Sequence, residues 1–247
     1  MMRWFLLLAL WVIVACHSVQ HLAEIKPQNS ELKFVEIAAD SVVESTIQPY
    51  RNQMVTRMDE VLGTCSMSLK KELPESALGN FFCDALMVHG QKNSGKPIDA
   101  AVQNYGGLRI PSMESGPITV GKIYELMPFD NMNVILDQPR AELDTLCQQI
   151  DADEGWPVSR ELRFMIRQGR AENIQVHGIP LDYQKIYRIL LPDYVANGYN
   201  RMYYLTDNPR ENTGILIRDA IIAYVRLQTA QGKTIAAVRD GRIIVSQ

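Results

Sequence analysis

Apolar positions along the chain alternate between two periods. Leu78, Phe82, Ala85, Leu86 and His89 recur every three or four residues, which predicts a helix over 77–90 with one buried face. Val120, Ile123, Tyr124 and Met127 follow the same rule, and Thr119 just before them is a natural N-cap. Leu143, Leu146, Cys147 and Ile150 mark another apolar stripe, with Pro139 placed as a first helical residue. Leu216, Ala220, Ala223 and Leu227 define a last amphipathic helix that ends near Gly232. Val42 to about Asp59 also reads as helix, kinked or split by Pro49. Short apolar runs predict strands at 32–38, 61–69, 100–104, 133–136, 162–167, 174–177, 186–191 and 242–245. This interleaving lacks the regular alternation of a doubly wound sheet. It predicts an α+β domain with mixed sheets packed against helices.

The first residues follow neither period. Arg3 precedes an apolar run from Phe5 to Ala15, too short to span a bilayer, and Cys16 follows a small residue. This resembles a bacterial lipoprotein signal, with cleavage after residue 15 and acyl chains on Cys16. Each acyl methylene buried in the membrane would contribute about 0.8 kcal/mol of anchoring. The alternative is an ordinary export signal with a chance cysteine. Residues 16–31, with Pro27, Asn29 and Ser30, read as a tether, and 32–247 as one domain. The expected location is the cell envelope, on the outer membrane facing the periplasm.

Composition narrows the chemistry. With 47% apolar and 21% charged residues, the chain has a globular make-up. Net charge is −3 and no basic tract appears, so nothing marks a surface for nucleic acid. His17, His21, His89 and His177 are scattered, and no metal-ligand spacing occurs, so no metal site is expected in this chain. Cys65, Cys83 and Cys147 lack paired spacing. They read as three buried thiols, with one disulfide plus a free thiol as the alternative.

The segment Asn104-Tyr105-Gly106-Gly107-Leu108-Arg109 follows the run Ala100-Ala101-Val102. Glycines permit a sharp turn or a close backbone approach, and a guanidinium suits phosphate or carboxylate oxygens. Alone, the six residues read more readily as a tight turn with a surface arginine. Three further segments accompany it in order. They are Glu75-Ser76-Ala77-Leu78-Gly79-Asn80, then 116–119 with Glu125-Leu126-Met127-Pro128-Phe129-Asp130-Asn131, and 190–200 with Pro192-Asp193-Tyr194 and Asn200.

Together these segments resemble the C-terminal domain of the 5′-nucleotidase and UDP-sugar hydrolase family, over nearly all of 32–246. The resemblance implies a substrate-binding domain that acts in nucleotide catabolism beside a metallophosphatase domain. By that match, Arg109 contacts phosphate, and Asn104, Gly106 and Gly107 form the substrate turn. Phe129 and Tyr194 sandwich the base, and Asn200 stands where a ribose-binding aspartate is usual. Pro74 stands where the family carries a second arginine; Lys70 and Lys71 are the nearest bases. The resemblance implies no cofactor in this chain and divalent metals only on a separate metallophosphatase partner. The isolated chain is then not expected to hydrolyse nucleotides. Three roles follow: the nucleotide-binding half of a two-chain hydrolase, a lipid-anchored nucleoside or nucleotide-binding module, or a non-catalytic scaffold.

Overall fold

The computed structural model describes residues 40–246. The expected signal, Cys16, the tether and the strand at 32–38 lie outside them. Thr46–Gln247 forms one compact unit, which carries the fold.

Helix α1 (Ser41–Met58) buries none of its residues. It runs through Pro49 without the expected split: a proline removes one backbone donor, and a side-chain bond from Gln48 to Asn52 (2.9 Å) spans the turn. The predicted strand at 61–69 is two, β1 (Val61–Cys65) and β2 (Leu69–Lys70), because the chain leaves β1 at Ser66 to bond the Ile235 carbonyl. Helix α2 (Ala77–Asn93) starts at an N-cap, with the Ser76 hydroxyl accepting from the Gly79 N–H. Then come β3 (Ala100–Ala101), β4 (Ser112–Met113), β5 (Gly116–Thr119) and α3 (Val120–Leu126), which Thr119 caps as expected.

Strand β6 (Met132–Pro139) feeds directly into α4 (Arg140–Ala152), so Pro139 ends the strand and caps the helix rather than opening it. Its fixed φ, −56° here, suits either role. The rest of the chain is β7 (Leu162–Arg167), β8 (Arg170–Val176), β9 (Ile179–Pro180), β10 (Ile186–Pro192), α5 (Asp193–Ala196), β11 (Arg210–Leu216), α6 (Ile217–Ala230) and β12 (Ile243–Ser246).

The central sheet has the order β11-β6-β10-β3, with β10 parallel to β3 and the other neighbours antiparallel. A second four-stranded sheet has the order β12-β7-β8-β9, and β1-β5 and β2-β4 form two-stranded ribbons. Strands β6, β10 and β3 of the central sheet are covered on both faces, which their period of two makes plain. Ile135, Leu190 and Ala101 point into one core with Leu78, Phe82 and Leu86 of α2 and Ile221 and Val225 of α6. Val134, Leu136, Ile189, Leu191 and Ala100 point into the other, with Leu143, Leu146 and Ile150 of α4, Trp156 and Phe164.

Cys65, Cys83 and Cys147 are buried and unpaired. Burial pushes the Cys83 and Cys147 thiols far above the ordinary range, so they stay protonated and inert. A charged cluster closes the fold. Arg242, with 3% of its side chain exposed, reaches both Asp84 oxygens of α2 at 2.8 Å and the Val158 carbonyl at 2.8 Å. Asp84 also accepts from Arg160, and Asp240 accepts from Arg242 at 3.0 Å.

Candidate functional site

The topology brings four chain ends to one end of the central sheet. β3 and β10 are parallel, so their C-terminal ends lie together. β6 is antiparallel to β10, and Asn133 pairs with Pro192, so the start of β6 joins them. β11 is antiparallel to β6, and Leu216 pairs with Met132, so its end and the first turn of α6 arrive there too. A cleft of about 340 Å³ opens at this place. Asn104, Gly106, Gly107, Arg109, Phe129, Tyr194 and Asn200 all line it, together with Gln103 and Asn131. Every residue named from the sequence as substrate-binding therefore borders one cavity, within the size range of small-molecule sites.

The turn after β3 is a 3₁₀ turn, Tyr105–Gly107. Neither glycine is there for a left-handed backbone, since neither has positive φ. Gly107 is required for space: a Cβ there would sit 2.0 Å from Gln103 Nε2. At Gly106 the nearest atom would be 3.8 Å away, so that side is open. Arg109 is exposed and donates from Nη1 to the Gly106 carbonyl at 3.3 Å. The rest of its fork has no protein hydrogen-bond partner among the described residues. Its guanidinium carbon lies 5.6 Å from the centroid of the Phe129 ring. Lys71 stands behind the same turn, donating to the Leu108 carbonyl at 2.8 Å with Nζ 3.8 Å from the centroid of Tyr105. Burial and then the charge of Arg109 lower its pKa. Lys71 does not line the cleft, so it does not replace the arginine absent at Pro74. Pro74 serves packing instead: its backbone leaves no room for a Cβ on Gly155.

Phe129 lies in the loop between α3 and β6 and is 40% exposed. Tyr194 is 37% exposed and sits on the single-turn helix α5. Two polar ties hold these rings in place. The Asn131 amide donates to Asp193 Oδ1 at 2.8 Å, and the same oxygen accepts from the Tyr194 N–H at 2.7 Å, coupling one loop to the other. Arg218 of α6, only 6% exposed, donates to the Pro128 and Phe129 carbonyls at 3.4 and 3.3 Å and to Asp130 Oδ1 at 2.8 Å. It also lies 4.1 Å from the centroid of Tyr124.

Gln103, Asn104 and Asn200 form a line of amides. Gln103 Nε2 donates to Asn104 Oδ1 at 2.9 Å, and Asn104 Nδ2 donates to Asn200 Oδ1 at 3.3 Å. Gln103 is 1% exposed, and its Oε1 has no protein partner among the described residues. Asn200 holds a left-handed backbone, φ 55°, which asparagine tolerates better than most residues.

The segment 75–80 is not at the cleft. Glu75 accepts from the Asn80 side chain at 2.7 Å and from the Asp240 and Gly241 N–H groups at 2.9 and 3.0 Å. It anchors the loop before β12. No sequence signal marks Gln103, Asn131 or Arg218. An amide beside Asn104 and another beside Phe129 carry no pattern of their own.

The cleft offers amides, one guanidinium and two exposed rings. Its lining contains no carboxylate, imidazole or thiolate, so it does not fit a divalent cation. Among the described residues no three such ligands converge anywhere.

The described residues define an α+β domain with a cleft at one end of its central sheet. The sequence profile of the 5′-nucleotidase C-terminal domain matches residues 54–207, and the chain belongs to that family. It is similar to Protein UshA of Escherichia coli, 24% identical over 196 residues, covering 77% of this chain and 35% of that protein. An apyrase of Anopheles gambiae is 23% identical over 232 residues, covering 85% of this chain and 39% of that one. Among solved structures, a 5′-nucleotidase precursor from Thermus thermophilus superposes with a TM-score of 0.70 at 27% identity, covering 83% of this chain and 43% of that one. The Haemophilus influenzae NAD nucleotidase shares the fold, with a TM-score of 0.65 at 15% identity over 84% of this chain and 42% of that one. The chain therefore spans well under half the length of these relatives.

Proposed function

We propose that the cleft binds a nucleotide and that this chain is the substrate-binding half of a 5′-nucleotidase-type phosphohydrolase. The base stacks between Phe129 and Tyr194, the ribose faces Asn200, and the phosphate faces Arg109. The observation that carries this reading is the convergence of those side chains, from three separate segments of the chain, on one cavity. Every base has a π face, so two rings hold purines and pyrimidines alike, at about 1–3 kcal/mol per stacked base. The free part of the Arg109 fork suits a phosphate. Asn200 carries no charge, and its oxygen already accepts from Asn104, so its NH₂ is the group left for a sugar oxygen.

The cleft holds no group that would generate a nucleophile from water. In this reading hydrolysis belongs to a metallophosphatase on a separate chain, and divalent metals bind there. Export and a lipid on Cys16 would place this chain at the periplasmic face of the outer membrane.

Titration calorimetry with AMP, adenosine and UDP-glucose tests the binding. Phe129→Ala is expected to weaken all three by about 5- to 150-fold, the equivalent of one lost stack. Unchanged affinity in that variant would remove the base sandwich. Association with a purified exported metallophosphatase, and AMP turnover only by the pair, tests the two-chain arrangement. Turnover by this chain alone would overturn it.

A further inference from the structure

The loop after α5 carries a second tyrosine. The Tyr199 ring stacks on Tyr194 with centroids 4.2 Å apart and planes 12° from parallel. Tyr194 borders the cleft and Tyr199 does not. Tyr199 therefore stacks on Tyr194 without lining the cavity, and its own outer side remains in solvent at 55% exposure.

The backbone is wound to achieve this. Gly198, Asn200 and Arg201 all have positive φ, at 90°, 55° and 63°. A side chain at 198 would also meet Thr206 Cγ2 at 2.8 Å, so the glycine is required on both counts. Left-handed backbone outside glycine persists only where its surroundings hold it. Here Asn200 is held by Asn104, and Arg201 by an ion pair with Asp153. Asp153 is fixed in turn by the indole N–H of buried Trp156 at 3.0 Å. One short turn thus delivers Asn200 into the cleft and folds Tyr199 back onto Tyr194.

We propose that Tyr199 is a positioning residue for nucleobase binding. Its ring backs Tyr194, holds that ring in the orientation that receives a base, and extends the stack by one layer. The proposal rests on the nucleotide reading above. Tyr194 is more than one-third exposed, and an exposed ring without a backing partner samples several rotamers. Ordering it would then fall on the binding step. The stack removes that cost in advance.

The test compares Tyr199→Ala, Tyr199→Leu and Tyr199→Phe in the full chain by adenosine calorimetry. Leucine keeps apolar bulk without a π face, and phenylalanine keeps the face without the hydroxyl. Alanine and leucine are expected to weaken adenosine binding about 2- to 10-fold, the range of one aromatic pair, and phenylalanine to restore it. A purely structural role would move the thermal midpoint instead, and for this exposed ring that midpoint is expected to stay within about 2 °C. In ligand-free protein, the Tyr194 ring resonances, read with ¹³C-labelled tyrosine, are expected to shift when the Tyr199 ring is lost. Wild-type affinity in the alanine variant would overturn the proposal, as would equal loss in alanine and phenylalanine. Failure of the nucleotide reading has a different signature: no binding by the wild type. Failure of this proposal alone shows as binding that Phe129→Ala weakens and Tyr199→Ala does not.

Discussion

Adjacent glycines at the turn after β3 make opposite demands, and substituting them separately tests the packing derived for the cleft. A Cβ on Gly107 would lie 2.0 Å from Gln103 Nε2 and 3.0 Å from its carbonyl carbon. Gln103 donates to Asn104, so swinging its amide away from the new Cβ breaks that bond. Overpacking of this kind costs about 1–3 kcal/mol, and the hydrogen bond adds about 0.5–1.5 kcal/mol. Stiffening the unfolded chain returns about 0.4–1 kcal/mol. Gly107→Ala is thus expected to lose about 1–4 kcal/mol. Gly106→Ala meets nothing nearer than 3.8 Å and keeps the stiffening, a gain of about 0.4–1 kcal/mol. The gap of about 1.5–5 kcal/mol corresponds to a difference in thermal midpoint of roughly 3 °C at its smallest and well over 10 °C at its largest for a domain of this size. Calorimetric melting of the two variants measures it. Gly106 borders the cleft, so its alanine variant is expected to lose AMP affinity while remaining the more stable protein. Midpoints within a degree of each other would refute the steric account of Gly107, and a less stable Gly106→Ala would reverse it.

Removing Asp84 with alanine leaves buried Arg242 with the Asp240 carboxylate alone, and urea unfolding should show a loss of about 1.5–3 kcal/mol; a loss under 1 kcal/mol would mean that the cluster contributes little. Stability should also fall in mild acid through His89, whose pKa burial, and then Lys92, lower from 6.5. The unfolded chain binds the proton more readily, so this contribution is complete above pH 6.5 and is lost as pH falls toward the lowered folded value. Denaturation at pH 5 and 7.5 reads the slope, which His89→Gln should flatten; an identical slope in that variant would assign the acid sensitivity to other groups.

The contrast between what could and could not be read from the chain has a physical origin. The stripes of α2, α3, α4 and α6 were legible because each helix buries one face against a continuous core, and burial selects residue type at every turn. β11 was not. It is an edge strand whose residues are exposed or half-buried, and a bulge between Asn212 and Leu216 breaks its register with β6. No hydrophobic alternation is demanded of such a strand. β9 has two residues, too few to show a period.

The cleft divides in the same way. Most of the residues that border it, though not Gln103 or Asn131, announced themselves because strand ends demand glycine and proline, and because exposed rings beside them are unusual. Those that hold them did not. Arg218 sits in the first turn of α6, where the helical pattern alone would put it on the polar face. It is buried only because the 128–130 loop folds over it. Asn131 and Asp193 meet across two loops that are 62 residues apart. Tyr199 stacks on Tyr194 only through a turn with three positive φ angles. A ligand imposes chemistry on the residues that touch it, and chemistry leaves a mark on residue type. A supporting contact imposes only a geometry, which many residue pairs could satisfy. The ordering of the rings, on which the proposed base stacking rests, is therefore written in tertiary contacts and not in the motifs that reveal the cleft.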